Sequence, residues 1–124
     1  MSNQLKSNMN NSRRKVLYSV LDSLMRLTGK GMTKKKAGDI LGESQQKVEQ
    51  CMDEEEMCLD NLPEALRWSS LYDRLSDNCN DLSVASSDLE MANDTCQASQ
   101  SYNYEDIRKD VAEAVHAIND AVTR

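Results

Sequence analysis

Four aspartates mark residues 73 to 88: Asp73, Asp77 and Asp81 at four-residue steps, and Asp88 seven residues further on. On a helix this spacing lines the carboxylates along one face, successive ones about 6 Å apart. Such a row can meet a basic surface where that surface would otherwise meet phosphates. Glu49, Asp53, Glu56, Asp60 and Glu64 make a comparable row earlier in the chain. The plainer alternative is a solvated face that keeps a small protein soluble. Trp68 lies between the rows and has two roles open to it: a plug over the end of a helical hairpin, which we expect, or an exposed anchor for a partner. Asp73, Asp77, Asp81, Asp88 and Trp68 therefore form the candidate partner-binding set.

A second constellation competes with the first. In "AGDILGESQQKVEQC", Gly38, Gly42 and Val48 occupy the small, turn and apolar positions of a DNA-binding helix-turn-helix. Gln45, Gln46, Lys47 and Gln50 would then face base edges, and Lys34, Lys35 and Lys36 would face phosphates. Glu43 stands where an apolar residue normally closes the corner, and "MDEEEMCLD" follows directly. The bland reading is one continuous helix with both glycines at a close crossing, at about 1 kcal/mol per glycine relative to alanine.

Enzymatic chemistry finds little support. There is no glycine-rich phosphate loop and no nucleophile elbow. His116, the only histidine, falls beside the apolar stripe of its helix and reads as a surface residue. Cys51, Cys58, Cys79 and Cys96 include no CxxC pair, so a zinc site would need unusual spacing, and no cofactor is implied. Without a secretory signal they read as reduced thiols that pack as small hydrophobes. Cys58, beside a dense carboxylate run, makes a poor nucleophile.

The elements that must position these residues are helices. Phe is absent and Trp and Pro occur once each, while Leu, Ala, Val and Met supply the apolar side chains. Residues 1–11 are polar and aperiodic, the composition of a disordered tail. Residues 12–124 form a single all-α domain of about four helices of about 16, 28, 27 and 20 residues, read from steps of three and four between apolar positions. The first, capped by Ser12, carries Val16, Leu17, Val20, Leu21, Leu24 and Leu27, and Gly29-Lys30-Gly31 stops it. Thr33 caps the second, which runs to Asn61 with Glu55 as the one charged residue on its apolar face, and Pro63 ends it.

Ser70 and Asp73 resemble a capping box for the third helix, whose Leu75, Leu82, Leu89 and Cys96 form a coiled-coil-like heptad seam. Asn103 opens the fourth. A short link makes the second and third helices an antiparallel hairpin, with Cys51 near Leu82, Cys58 near Leu75 and Leu41 near Ala92. In that register no two cysteines face each other. The seam packs either within this hairpin or against a second copy, as a homo-oligomer.

Charge is divided along the chain. Residues 1–36 hold nine Lys or Arg against Asp22 alone, a net of +8, and the remainder holds six against twenty acids, a net of −14. Such asymmetry selects partners by charge. No apolar run suits a membrane span and the amino terminus has no signal-peptide core, so a soluble cytoplasmic protein is expected.

"RRKVLYSVLDSL", "KVEQCMDEEEMCLDNLPEALRWS" and "LSDNCNDLSVASSDLEMA" together resemble a group of small helical-hairpin proteins of bacterial phages and mobile elements. That group shows an acidic DEE run, an NLPE turn and a heptad helix after a serine. The resemblance covers Arg13 to about Ala92; "TGKGMTKKK" and the fourth helix depart from the pattern. It implies an architecture and a bacterial host cell as the setting, and it brings no catalytic residues. The expected function is a non-enzymatic protein–protein interaction module that binds a basic or nucleic-acid-binding protein, in its sharpest form a small acidic inhibitor of a host nucleic-acid-handling or defence system. The alternative is the helix-turn-helix regulator, the only reading in which nucleic acid is a partner.

Overall fold

The computed structural model describes residues 9–124, in which four helices pack as an up-and-down bundle and no strand occurs among the described residues. They are α1 (Asn11–Met25), α2 (Lys34–Asp60), α3 (Ser70–Ala98) and α4 (Arg108–Thr123), with single 3₁₀ turns at Arg26–Thr28, Glu64–Leu66 and Tyr104–Asp106. Each long helix is antiparallel to the next. Residues 1–8 of the expected tail lie outside the described residues.

Side-chain caps set the boundaries. Asn10, rather than Ser12, caps α1, its Oδ1 accepting from the Arg13 amide at 2.9 Å. The buried Met9 precedes it, so an apolar anchor lies inside the stretch that composition marks as tail. Thr33 caps α2 as expected, accepting from the Lys36 amide at 3.1 Å. Gly31, at φ +77°, supplies the left-handed residue in the link before it. Ser69 takes the cap of α3 in place of Ser70, accepting from the Tyr72 amide at 3.4 Å, so the Ser70–Asp73 box does not form. Asn103 caps the 3₁₀ turn, and α4 proper begins after it at Arg108.

The predicted apolar positions converge on one core. Leu17, Val20, Leu24 and Leu27 come from the α1 side, Leu41, Val48 and Cys51 from α2, and Ile107, Val111, Ala114 and Ile118 from the α4 side. Leu75, Leu82, Leu89 and Cys96 of the α3 seam are buried within the chain against its neighbours, with the small Ala85 and Ala92 between them. Burying these groups is the main favourable term, at about 25 cal/mol per Å² of apolar surface. The hairpin register agrees with the spacing argument, since Asn78 on α3 meets Glu55 on α2 at 3.0 Å and Gln45 reaches Glu90 at 3.5 Å.

The helix-turn-helix alternative does not form. α2 is helical without interruption from Lys34 to Asp60, so the turn that a helix-turn-helix needs at Gly42 is not made. Both glycines have negative φ and continue the helix. A Cβ on Gly38 would come within 2.5 Å of the Gln97 amide of α3, which supports a close crossing there; a Cβ on Gly42 would meet nothing within 4 Å. Gln45 turns toward α3, while Gln46 and Gln50 remain exposed and Lys47 is half-buried.

The helices differ in length, and the difference shapes the molecule. The start of α1 reaches α2 between Cys51 and Cys58, through Arg13, and the end of the chain reaches α3 near Asn78 and Asp81, through Arg124. The hairpin of α2 and α3 continues past both. From Glu56 to Arg74 not one residue is buried.

Candidate functional site

The hairpin end, residues 56–74, is an arm that the other two helices leave uncovered. Its root is fixed by a partly buried polar chain that joins α1, α2, α3 and Arg124, the residue that caps the end of α4. Arg13 Nε donates to Glu55 Oε2 at 2.9 Å, and its Nη1 lies 3.3 Å from Glu54 Oε1. Glu55, at 0% exposure, accepts on its other oxygen from Asn78 Nδ2 at 3.0 Å. Asn78 Oδ1 in turn accepts from Arg124 Nη1 at 2.9 Å, and Arg124 Nη2 stands 2.6 Å from Asp81 Oδ2. Burial pushes the Glu55 carboxyl above its ordinary value, while the donors from Asn78 and Arg13 pull it back. Burial alone would lower Arg13, but Glu55, Cys58 and Glu54 together outweigh it and hold the guanidinium more firmly charged.

This chain was only half visible in the sequence. Glu55 stands out as the one charge on the apolar face of α2, which is its signal. Arg13, Asn78 and Arg124 come from three other helices, and no local pattern links them to it.

Of the candidate partner-binding residues, the structure brings some onto the arm and removes others. Asp73 and Asp77 are exposed on its α3 side, and Asp53, Glu56, Asp60 and Glu64 are exposed on or beside its α2 side. Asp81 belongs to the root, half-buried against Arg124. Asp88 is 8% exposed and lies against α4, so the four aspartates do not share one solvent face. The row is straight along α3, but α4 packs over its far end.

Trp68 reverses the expectation. It is 94% exposed and plugs nothing. The link is held by its own backbone, with Leu66 N donating to Pro63 O and Ser69 N to Leu66 O, which leaves the indole outside. Leu66 and Met57 are also exposed on the arm, and Leu59, Leu62, Leu71 and Tyr72 are half-buried there. The arm therefore ends in a tip where the apolar Leu66 and Trp68 stand on either side of Arg67, between two acidic rows.

The opposite end of the bundle carries the cations. The end of α1 and the starts of α2 and α4 meet there, tied by the Tyr102 hydroxyl donating to Leu27 O at 2.6 Å. This places Arg26, Lys30, Lys34, Lys35, Lys36, Arg108 and Lys109 at the end away from the arm.

All four cysteines carry free thiols. Burial pushes the Cys51 and Cys79 thiols up to about 11, which disfavours the thiolate. His116 is exposed on α4, with Nε2 3.5 Å from Asp120 Oδ2. It lies on the rim of two open grooves flanking α4, one bordered by Asp81, Val84 and Ala117 and the other by Leu24, Met25 and Tyr104.

No helix among the described residues is long and apolar enough to cross a membrane. Comparison with known proteins finds no protein family, curated protein or solved structure that matches the chain.

Proposed function

We propose that this chain is a non-enzymatic interaction module that docks the tip of its α2–α3 arm onto a basic surface of a partner protein. The observation that carries the reading is Trp68, 94% exposed on a stretch with no buried residue. A solvent-facing indole with Leu66 two residues away is unfavourable for the isolated protein, and a partner pocket would remove it from water. The acidic rows on either side supply the charge that steers and orients a basic partner. In its finer form the module is a small acidic inhibitor of phage or mobile-element origin, acting in a bacterial cytoplasm on a nucleic-acid-handling or defence protein. The support for that form is the stand-in for phosphates which two carboxylate rows provide.

The test is affinity purification from the native host with the wild-type chain, Trp68→Ala and Asp73→Asn/Asp77→Asn. Removing a central Trp from an interface typically weakens binding by about 2 kcal/mol or more, roughly thirtyfold. The expected result is a partner retained by the wild type, lost with Trp68→Ala, and released at lower salt by the double Asn variant. A partner held equally by all three would contradict the proposal.

The clustered cations at the other end favour one second reading, contact with nucleic-acid phosphates. It would rest on Lys34, Lys35 and Lys36 together with Arg108 and Lys109 and not on a helix-turn-helix. Steeply salt-dependent duplex binding, weakened by Ala at these positions, would support it.

A further inference from the structure

Asp88 has no stabilising neighbour of the kind that a buried carboxylate needs. It is 8% exposed, and its Oδ2 is buried without a hydrogen-bond donor. Facing it from α4 are Asp110 and Glu113, one turn apart, and each of the three residues offers a carboxylate oxygen within 4.8 Å of the others. Among the described residues none of the three is in an ion pair, and the nearby Arg108 is turned to Glu105 at 3.5 Å. Burial first, and then Glu113 and Asp110, push the Asp88 carboxyl above its ordinary value. A buried carboxyl facing two others is either protonated or offset by a positive charge, and a bound cation would supply that charge.

We propose that Asp88, Asp110 and Glu113 bind a hard divalent cation, Ca²⁺ in preference to Mg²⁺, that pins α4 to α3. The all-oxygen donor set selects Ca²⁺, Mg²⁺ or Mn²⁺ over zinc or copper. The three oxygens lie within 4.8 Å of one another, a span that either ion can bridge. Coordination habit decides among them, since Mg²⁺ demands near-octahedral geometry and dehydrates reluctantly, whereas Ca²⁺ accepts irregular shells completed by water. Glu113 is exposed, so water can reach the ion from that side and complete its shell. Cysteine and histidine spacing, on which metal was set aside in the sequence, could not reveal a site made of carboxylates from two distant helices.

The experiment uses the full chain, stripped with a chelator, and calcium chloride as the probe. Calorimetric titration should show one Ca²⁺ per chain, and the thermal midpoint should rise with added Ca²⁺ to about 10 mM, less with Mg²⁺. Asp88→Asn should fold at least as stably as the stripped wild type, because it removes an unpaired buried charge, and should bind Ca²⁺ at least about tenfold more weakly. Asp94→Asn, an exposed acid on the same helix, should bind like the wild type. No binding heat and no midpoint shift in the wild type would overturn the proposal, as would an undiminished response in Asp88→Asn.

Discussion

At Glu55 a carboxylate sits at 0% exposure with both oxygens occupied, one by Arg13 and one by Asn78. Taking one partner from a buried ion pair leaves the other charge uncompensated, at about 3–5 kcal/mol, whereas replacing both with apolar groups is often nearly neutral. Arg13→Met should therefore destabilise the chain by about 3–5 kcal/mol, and adding Glu55→Leu should recover most of that loss, as urea unfolding would show. Additive losses would mean that the two side chains act independently. The same residues mark how far single positions were legible. Glu55 announces itself by interrupting an apolar series, but its partners are settled only when four helices meet. Trp68 was misjudged for a related reason. Its size favours burial, yet burial needs a third helix over the hairpin end, and none arrives there.

Elements were the most legible scale, because three-and-four spacing and capping residues act locally. Thr33, Pro63 and the α3 seam placed α2 and α3 nearly as observed, and the hairpin register followed from the short link between them. Where the reading slipped, two neighbouring residues could do the same job: Asn10 for Ser12, and Ser69 for Ser70. Which side of α3 would receive α4 was not legible, and that decided the fate of Asp88. The glycines of α2 give a direct check on continuity. Nothing lies within 4 Å of a Cβ on Gly42, so Gly42→Ala should raise stability by about 0.5–1 kcal/mol through helix propensity alone. Gly38→Ala should gain less, since the new methyl must displace the Gln97 amide. A loss of stability in Gly42→Ala would indicate a turn at that position.

Over the whole molecule, charge and shape run partly in the same direction. Seven cations gather where α1 ends and α2 and α4 begin, and carboxylates outnumber Arg67 and Arg74 on the arm that projects from the other end. The division along the chain, +8 against −14, becomes an axis of the folded protein only in part, because the up-and-down path returns Arg13, Arg14 and Lys15 to the root of the arm. Such an axis orients an approaching partner before contact, and the apolar tip then supplies the area that holds it. Trp68 is the only tryptophan, so its fluorescence reports on the tip alone. The most direct measurement is that fluorescence, with acrylamide quenching, as a partner purified from the native host is titrated in. The free protein should behave as a water-exposed indole, and binding should shift the emission to shorter wavelength and protect it from the quencher. A saturated complex in which Trp68 emits and quenches as it does in the free chain would contradict docking through the arm.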